Sequence, residues 1–130
     1  MLENTCDTLT SNMASYKELV VWQKSYHLVL TVYEITKSFP KEELFGLSSQ
    51  MRRCAVSVPS NIAEGNTRNG KKEHLQFFRI AYGSGAELET QLLLAKDLKY
   101  ISESIFKEVE QELQEVMRML NKLIATLSKI

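Results

Sequence analysis

Two prolines and five glycines in 130 residues leave this chain short of turn-forming residues. That scarcity argues against many short strands and for a few long regular elements. Cysteine is equally sparse. Cys6 sits in a polar stretch and Cys54 in an apolar stripe, without the spacing of a zinc site or a disulfide framework. Cys54 is expected to be a small core residue, because free cysteine is usually buried. No apolar run approaches the ~18 residues of a membrane span. The opening MLENTCDTLTSNMA has neither the basic nor the apolar region of a signal peptide. The expectation is a cytoplasmic protein with no membrane partner.

Net charge is also missing: 16 basic residues balance 16 acidic ones. The layout is uneven, however. Between Arg52 and Arg79 lie six basic residues (Arg52, Arg53, Arg68, Lys71, Lys72, Arg79) and two acidic ones (Glu64, Glu73), whereas Glu87 to Glu115 holds eight acidic residues and three lysines. Histidine is confined to His27 and His74. Neither belongs to the Glu-x-x-His pairs that build di-metal sites in helical bundles. No nucleophile elbow and no strand-borne phosphate loop appears. The residues therefore give no catalytic group, no metal site and no cofactor.

Apolar spacing predicts four helices and no strand. Residues 1–14 show no periodicity and read as a flexible tail, leaving 15–130 as the folded unit. Helix one is expected from Ser15, where Ser15 and Glu18 have the spacing of a capping box. It carries two apolar stripes. Leu19, Trp22, Tyr26, Val29 and Tyr33 form one, and Val21, Leu28, Val32 and Ile35 the other. A small bundle buries one stripe per helix, so the second implies another buried surface, such as a second subunit.

Helix two runs through Leu44, Leu47, Met51, Cys54, Val58 and Ile62. This phase does not slip at Pro59, so the helix is expected to continue through the proline with a kink and to end at Gly65. GNTRNGKK is the connector, with Asn69 as the expected N-cap of helix three. That helix carries Phe78, Ala81, Gly85, Leu88, Leu92 and Ala95, and its GSGAE centre suggests close approach of a neighbouring backbone. Helix four starts near Ser102 and alternates spacings of three and four from Phe106 to Ile130, the seam of left-handed helix packing. The expected fold is all-α, an antiparallel up-down-up-down four-helix bundle with a proline-kinked second helix.

Some polar residues fall close to the apolar stripes. Asn61, Glu64 and Glu87 are candidates for a structural network, with Glu64 or Glu87 expected to pair with Arg52, Arg53 or Arg79, since an unpaired buried charge is costly. A ligand pocket at GSGAE would have to be lined by Glu87 or Glu64. The best binding candidate is the connector. Arg68, Lys71 and Lys72, with Arg52, Arg53 and Arg79, are candidate contacts for a nucleic-acid backbone, helped by free amides at the start of helix three. No aromatic residue interleaves Arg68, Lys71 and Lys72, so base stacking is not indicated there.

Three stretches carry a family resemblance: YKELVVWQKSYHLVLTVYEITKSFP, LFGLSSQMRRCAVSVPSNIAEGNTR and FFRIAYGSGAELETQLLLAKDLKYI. They resemble the small bacterial four-helix-bundle proteins named for the intervening sequences of 23S ribosomal RNA genes. The resemblance implies an antiparallel four-helix bundle. Through a relationship to the accessory variability determinant of diversity-generating retroelements, it also implies a homopentamer that binds RNA, DNA or a ribonucleoprotein through basic surfaces. It brings no catalytic motif. The alternative expectation is a protein-interaction scaffold that binds no nucleic acid.

Overall fold

The computed structural model describes residues 15–129, and within them the chain forms four α-helices and no strand. These are α1 (Val20–Thr36), α2 (Leu47–Asn66), α3 (Lys71–Asp97) and α4 (Glu103–Ser128). Short 3-10 turns at Tyr16–Glu18 and Lys41–Glu43 precede α1 and α2. The expected tail 1–14, Cys6 and the seam residue Ile130 lie outside the described residues.

Contacts between neighbouring helices climb one helix as they descend the next. Along α2 and α3, Gly65 meets Phe77 and Phe78, Ser57 meets Ser84, and Cys54 meets Gln91. Along α3 and α4, Arg79 meets Ser128, Gly85 meets Met117, and Lys96 meets Phe106. The core between them holds Leu28, Val32, Met51, Val58, Ile62, Leu88, Leu92, Val109, Leu113, Val116 and Leu120, all almost wholly buried. Burying a side chain of this size contributes roughly 1.5–3 kcal/mol, so this layer is the main source of stability.

Pro59 lies inside α2 and is buried, so the helix does run through it. Proline has no N–H to offer the Ala55 carbonyl, but its apolar ring adds to the core face beside Val58 and Ile62. The seam of α4 is also as expected from Phe106 to Leu120, and it opens to half-buried positions at Leu123 and Leu127. Ser102 caps this helix by accepting the Ile105 amide at 3.1 Å.

Several expectations need correction at helix ends. Ser15 caps the 3-10 turn, accepting from the Lys17 amide, and α1 begins only after Leu19, whose extended backbone separates the two. Leu44 is not on α2; it lies in the connection with Phe45, which is 92% exposed. Gly65 is not a C′ residue. It is buried in the last turn of α2, where a Cβ would meet Phe77 Cβ and Phe78 Cε1 at 3.0 Å. Asn69 does not cap α3; Gly70 occupies that position without a side-chain hydrogen bond. Cys54 is half-buried, not a full core residue.

The two stripes of α1 are only partly separated, with Leu19 and Ile35 also half-buried against the core. Val21, Leu28 and Val32 face the core with Ser25 and Thr36. Of the other stripe, Trp22 and Val29 pack on the flank, while Tyr26 and Tyr33 are exposed together with Leu30.

Candidate nucleic-acid interface

The α2–α3 connector is tightly turned by its own backbone. Thr67 donates its hydroxyl to the Glu64 carbonyl at 2.7 Å, and the Arg68 amide bonds the Gly65 carbonyl at 3.2 Å. His74 donates from Nε2 to the Arg68 carbonyl and sets its ring edge-on to Phe78, centroids 6.1 Å apart. These bonds tie the connector to the first turns of α3.

Arg68 is held rather than free. Its guanidinium pairs with the Glu64 carboxylate four residues earlier and lies 4.9 Å from the centroid of the Phe77 ring. Lys71 and Lys72 differ. Both are exposed in the first turn of α3, and no ion pair engages either among the described residues. Arg79, two turns further along, reaches the Ser128 hydroxyl at 3.4 Å and remains exposed.

The structure divides the six basic candidates. Arg68, Lys71, Lys72 and Arg79 stand at one end of the bundle. Arg52 and Arg53 lie some fourteen residues below the end of α2, about 20 Å along its axis. Arg53 is exposed. Arg52 is half-buried: its Nε donates to the buried Thr36 hydroxyl at 2.8 Å, and its guanidinium sits 4.8 Å from the centroid of the Tyr33 ring. It fastens α2 to α1.

The proposed network is also redrawn. Among the described residues the ion pair of Glu64 is with Arg68, and none links Arg52, Arg53 or Arg79 to Glu64 or Glu87. Asn61 does join a network, donating to the Ser57 carbonyl at 2.8 Å, while the Ser57 and Ser84 hydroxyls bond across to α3 at 2.8 Å. Glu87 stands beside Cys54. Partial burial pushes the Cys54 thiol up, against a hydrogen bond donated by Gln91 Nε2 at 3.4 Å, and Glu87 adds to the rise. Such a thiol is a poor nucleophile.

The two glycines of the GSGAE centre have different surroundings. Gly83 faces open solvent, and the space beside Gly85 is taken by the Met117 thioether and Leu113. The close approach is thus made by a side chain at one glycine, not by a neighbouring backbone at both. No group of three or more His, Cys, Asp or Glu residues is placed to hold a metal among the described residues. No helix in that range is long and apolar enough to cross a membrane.

Sequence reasoning missed the basic residues of α4. Lys122 and Lys129 are exposed in its last turns, and the Arg79–Ser128 contact brings that end beside α3. The signal was present, because no acidic residue follows Glu115. The acidic half of α4 is engaged by α1: Lys24 pairs with Glu115 at 3.2 Å, Thr31 donates its hydroxyl to Glu112 at 3.2 Å, and His27 Nδ1 lies 3.2 Å from the same carboxylate.

A match to the 23S rRNA-intervening sequence protein family spans residues 17–122. The chain belongs to that family. Among solved structures it is similar to a Bacteroides thetaiotaomicron protein with unknown function from the S23 ribosomal protein family, with a TM-score of 0.74 and 22% identity over 81% of this chain and 98% of that one. At that identity the likeness speaks for the fold. No curated protein sequence matches. Neither description names an enzyme.

Proposed function

We propose that this member of the intervening-sequence family is a non-enzymatic protein that binds the backbone of RNA or DNA, free or within a ribonucleoprotein, in the cytoplasm. Lys71 and Lys72, with Arg68 and Arg79 beside them, supply the contacts. One observation carries the reading. Two exposed lysines without carboxylate partners occupy the first turn of a long helix, where the helix dipole disfavours positive charge. Placed there they weaken α3, and an anionic ligand relieves that penalty while meeting the free amides of the same turn.

The protein works as a homo-oligomer in this reading, with a pentamer favoured by the resemblance stated above. Tyr26, Leu30 and Tyr33 form an exposed apolar face on α1, and a partner subunit is what would cover it. A ring would repeat the basic end of the bundle and raise affinity through multivalency.

The test is fluorescence anisotropy with labelled structured RNA and matched duplex DNA at two salt concentrations, with molecular mass by light scattering on the same samples. The wild type is compared with Arg68→Glu/Lys71→Glu/Lys72→Glu. Binding that weakens steeply with salt and disappears in the triple variant, at unchanged mass, supports the reading. An intact oligomer that binds neither probe overturns it and favours the scaffold reading, for which Phe45 and the α1 face are the exposed apolar surfaces.

A further inference from the structure

We infer that the basic surface continues across α4 and takes a double-stranded backbone, with Lys122 and Lys129 forming a second cationic row that starts beside Arg79 and is offset along the bundle from Lys71 and Lys72. This rests on the nucleic-acid reading above and adds the shape of the ligand and the other half of its site.

The placement comes from one contact. Arg79 donates to the Ser128 hydroxyl, so the last turn of α4 lies against the third turn of α3. Beyond Glu115 the only charged residues of α4 and its cap are Arg118, Lys122 and Lys129. Arg118 borders an open cleft of about 420 Å³ with Glu108, Glu112 and Glu115, so it belongs to the acidic stretch of α4. Lys122 and Lys129 have no ion-pair partner among the described residues and are exposed. Seven residues apart, they share a helix face about 10 Å long. Lys71 and Arg79 span about 12 Å of α3. The Arg79–Ser128 and Gly85–Met117 contacts set Lys129 about level with Arg79 and Lys122 further along α3, away from Lys71 and Lys72. With packed helices roughly 8–10 Å apart, the α4 lysines form a second row that overlaps the α3 row at Arg79 and extends past it.

That layout discriminates between ligands. Proteins that grip single strands offer successive aromatic platforms for unstacked bases. Here Phe77 lies under the Arg68 guanidinium and Phe78 is buried. Tyr82 is the partly exposed ring on this stretch of α3, and it stands alone. Two cationic rows without platforms suit a duplex, whose bases are already stacked and whose two backbones present charge side by side.

The experiment is a salt titration of binding by the full chain, read by anisotropy. The probes are an RNA hairpin, a DNA duplex and an unstructured single strand of equal length. The proteins are wild type, Lys122→Gln/Lys129→Gln, Lys71→Gln/Lys72→Gln and Tyr82→Ala, each checked by thermal melting. We expect both duplexes to bind more tightly than the single strand. The α4 variant should lower the slope of log K against log salt by about 2, as loss of two phosphate contacts requires, and Tyr82→Ala should leave duplex binding intact. A hairpin preferred over the DNA duplex adds recognition of A-form shape, and equal binding points to backbone charge alone; both support the inference. An unchanged slope in the α4 variant, with binding lost in the α3 variant, overturns it and leaves the basic-connector reading standing. Preference for the single strand, lost with Tyr82→Ala, does the same. No binding of any probe by wild type removes both.

Discussion

Tyr100 donates its phenol to Glu43 Oε2 at 2.9 Å, and the other oxygen of that carboxylate accepts the Leu47 amide at 3.0 Å. One side chain thus joins the α1–α2 connection, the first turn of α2 and the α3–α4 connection. The Leu47 amide, and then the Tyr100 phenol, hold the Glu43 carboxyl below its usual 4.5. The same bond holds the Tyr100 phenol above its usual 10.0. A lowered carboxyl adds stability above the unfolded-state value and loses it as pH falls through the folded one. A raised phenol adds stability below its unfolded-state value and loses it as pH rises through the folded one. Thermal melting against pH should therefore show a plateau that falls at both ends. In Glu43→Gln both losses should shrink. In Tyr100→Phe the alkaline loss should shrink by the phenol's share, and the acid loss should also shrink, because one of the two bonds that lower the Glu43 carboxyl is gone. Profiles identical to wild type would contradict this role for the pair.

Lys99 has φ of 65°, a left-handed backbone. It occupies the C′ position of α3: its amide bonds the Lys96 carbonyl at 2.9 Å, and the Tyr100 amide bonds Ala95 at 2.8 Å. This double bond pattern is the Schellman stop, in which glycine is the favoured residue. Left-handed geometry costs a non-glycine residue roughly 1–2 kcal/mol. Lys99→Gly should raise stability by about 1 kcal/mol, a few degrees in Tm, by circular dichroism. Lys99→Val should lower it.

Gly83 of α3 and Gly65 of α2 should respond in opposite directions. A Cβ at Gly83 meets nothing within 4 Å, so Gly83→Ala should gain roughly 0.5–1 kcal/mol from helix propensity alone. At Gly65 the new methyl would press on Phe77 Cβ at 3.0 Å. That atom is fixed to the α3 backbone and yields only if the helix shifts. Gly65→Ala should lose roughly 1–2 kcal/mol despite the same gain in propensity. Chemical denaturation measures both, and a stabilised Gly65→Ala would show that α3 moves more easily than its packing suggests.

Arg52 and Arg53 should separate by phenotype. Arg52→Ala removes the bond to buried Thr36 and the contact with Tyr33, and should cost about 1–2 kcal/mol in denaturation. Arg53→Ala should be close to neutral. Neither should change nucleic-acid affinity by more than a small factor, because both lie far from the connector. A large affinity loss in either variant would extend the interface down α2.

Periodicity made much of this fold legible. The unbroken phase from Met51 through Val58 to Ile62 carried α2 across Pro59, and the seam from Phe106 to Leu120 is buried as its spacing requires. Helix ends were less legible, because end residues answer to tertiary partners. Ser15 has the spacing of a capping box, yet Leu19 is extended and diverts it to a 3-10 turn. Gly65 has the identity of a stop signal but was selected by the closeness of Phe77 and Phe78. For the candidate site, local sequence showed the charges of the connector and not their partners. Glu64 found Arg68, four residues away on the same turn, before any distant arginine. Lys122 and Lys129 were invisible as site residues until the register of α4 on α3 was known.

The connector lysines set stability against binding. In the first turn of α3, Lys71 and Lys72 place positive charge at the positive end of the helix dipole. Each unfavourable charge there costs roughly 0.3–1 kcal/mol at low salt. Lys71→Glu/Lys72→Glu should therefore melt at a higher temperature than wild type at low salt, with the gain shrinking as salt rises. The same variant should lose nucleic-acid binding, because it reverses the charges that meet phosphate. Most substitutions that abolish a function through misfolding lower Tm, so a variant that is more stable and unable to bind isolates these two side chains as binding residues. If the variant is more stable and binds as wild type does, the lysines are no part of the interface. If it is less stable, the amides of that turn are not as free as the uncapped Gly70 implies.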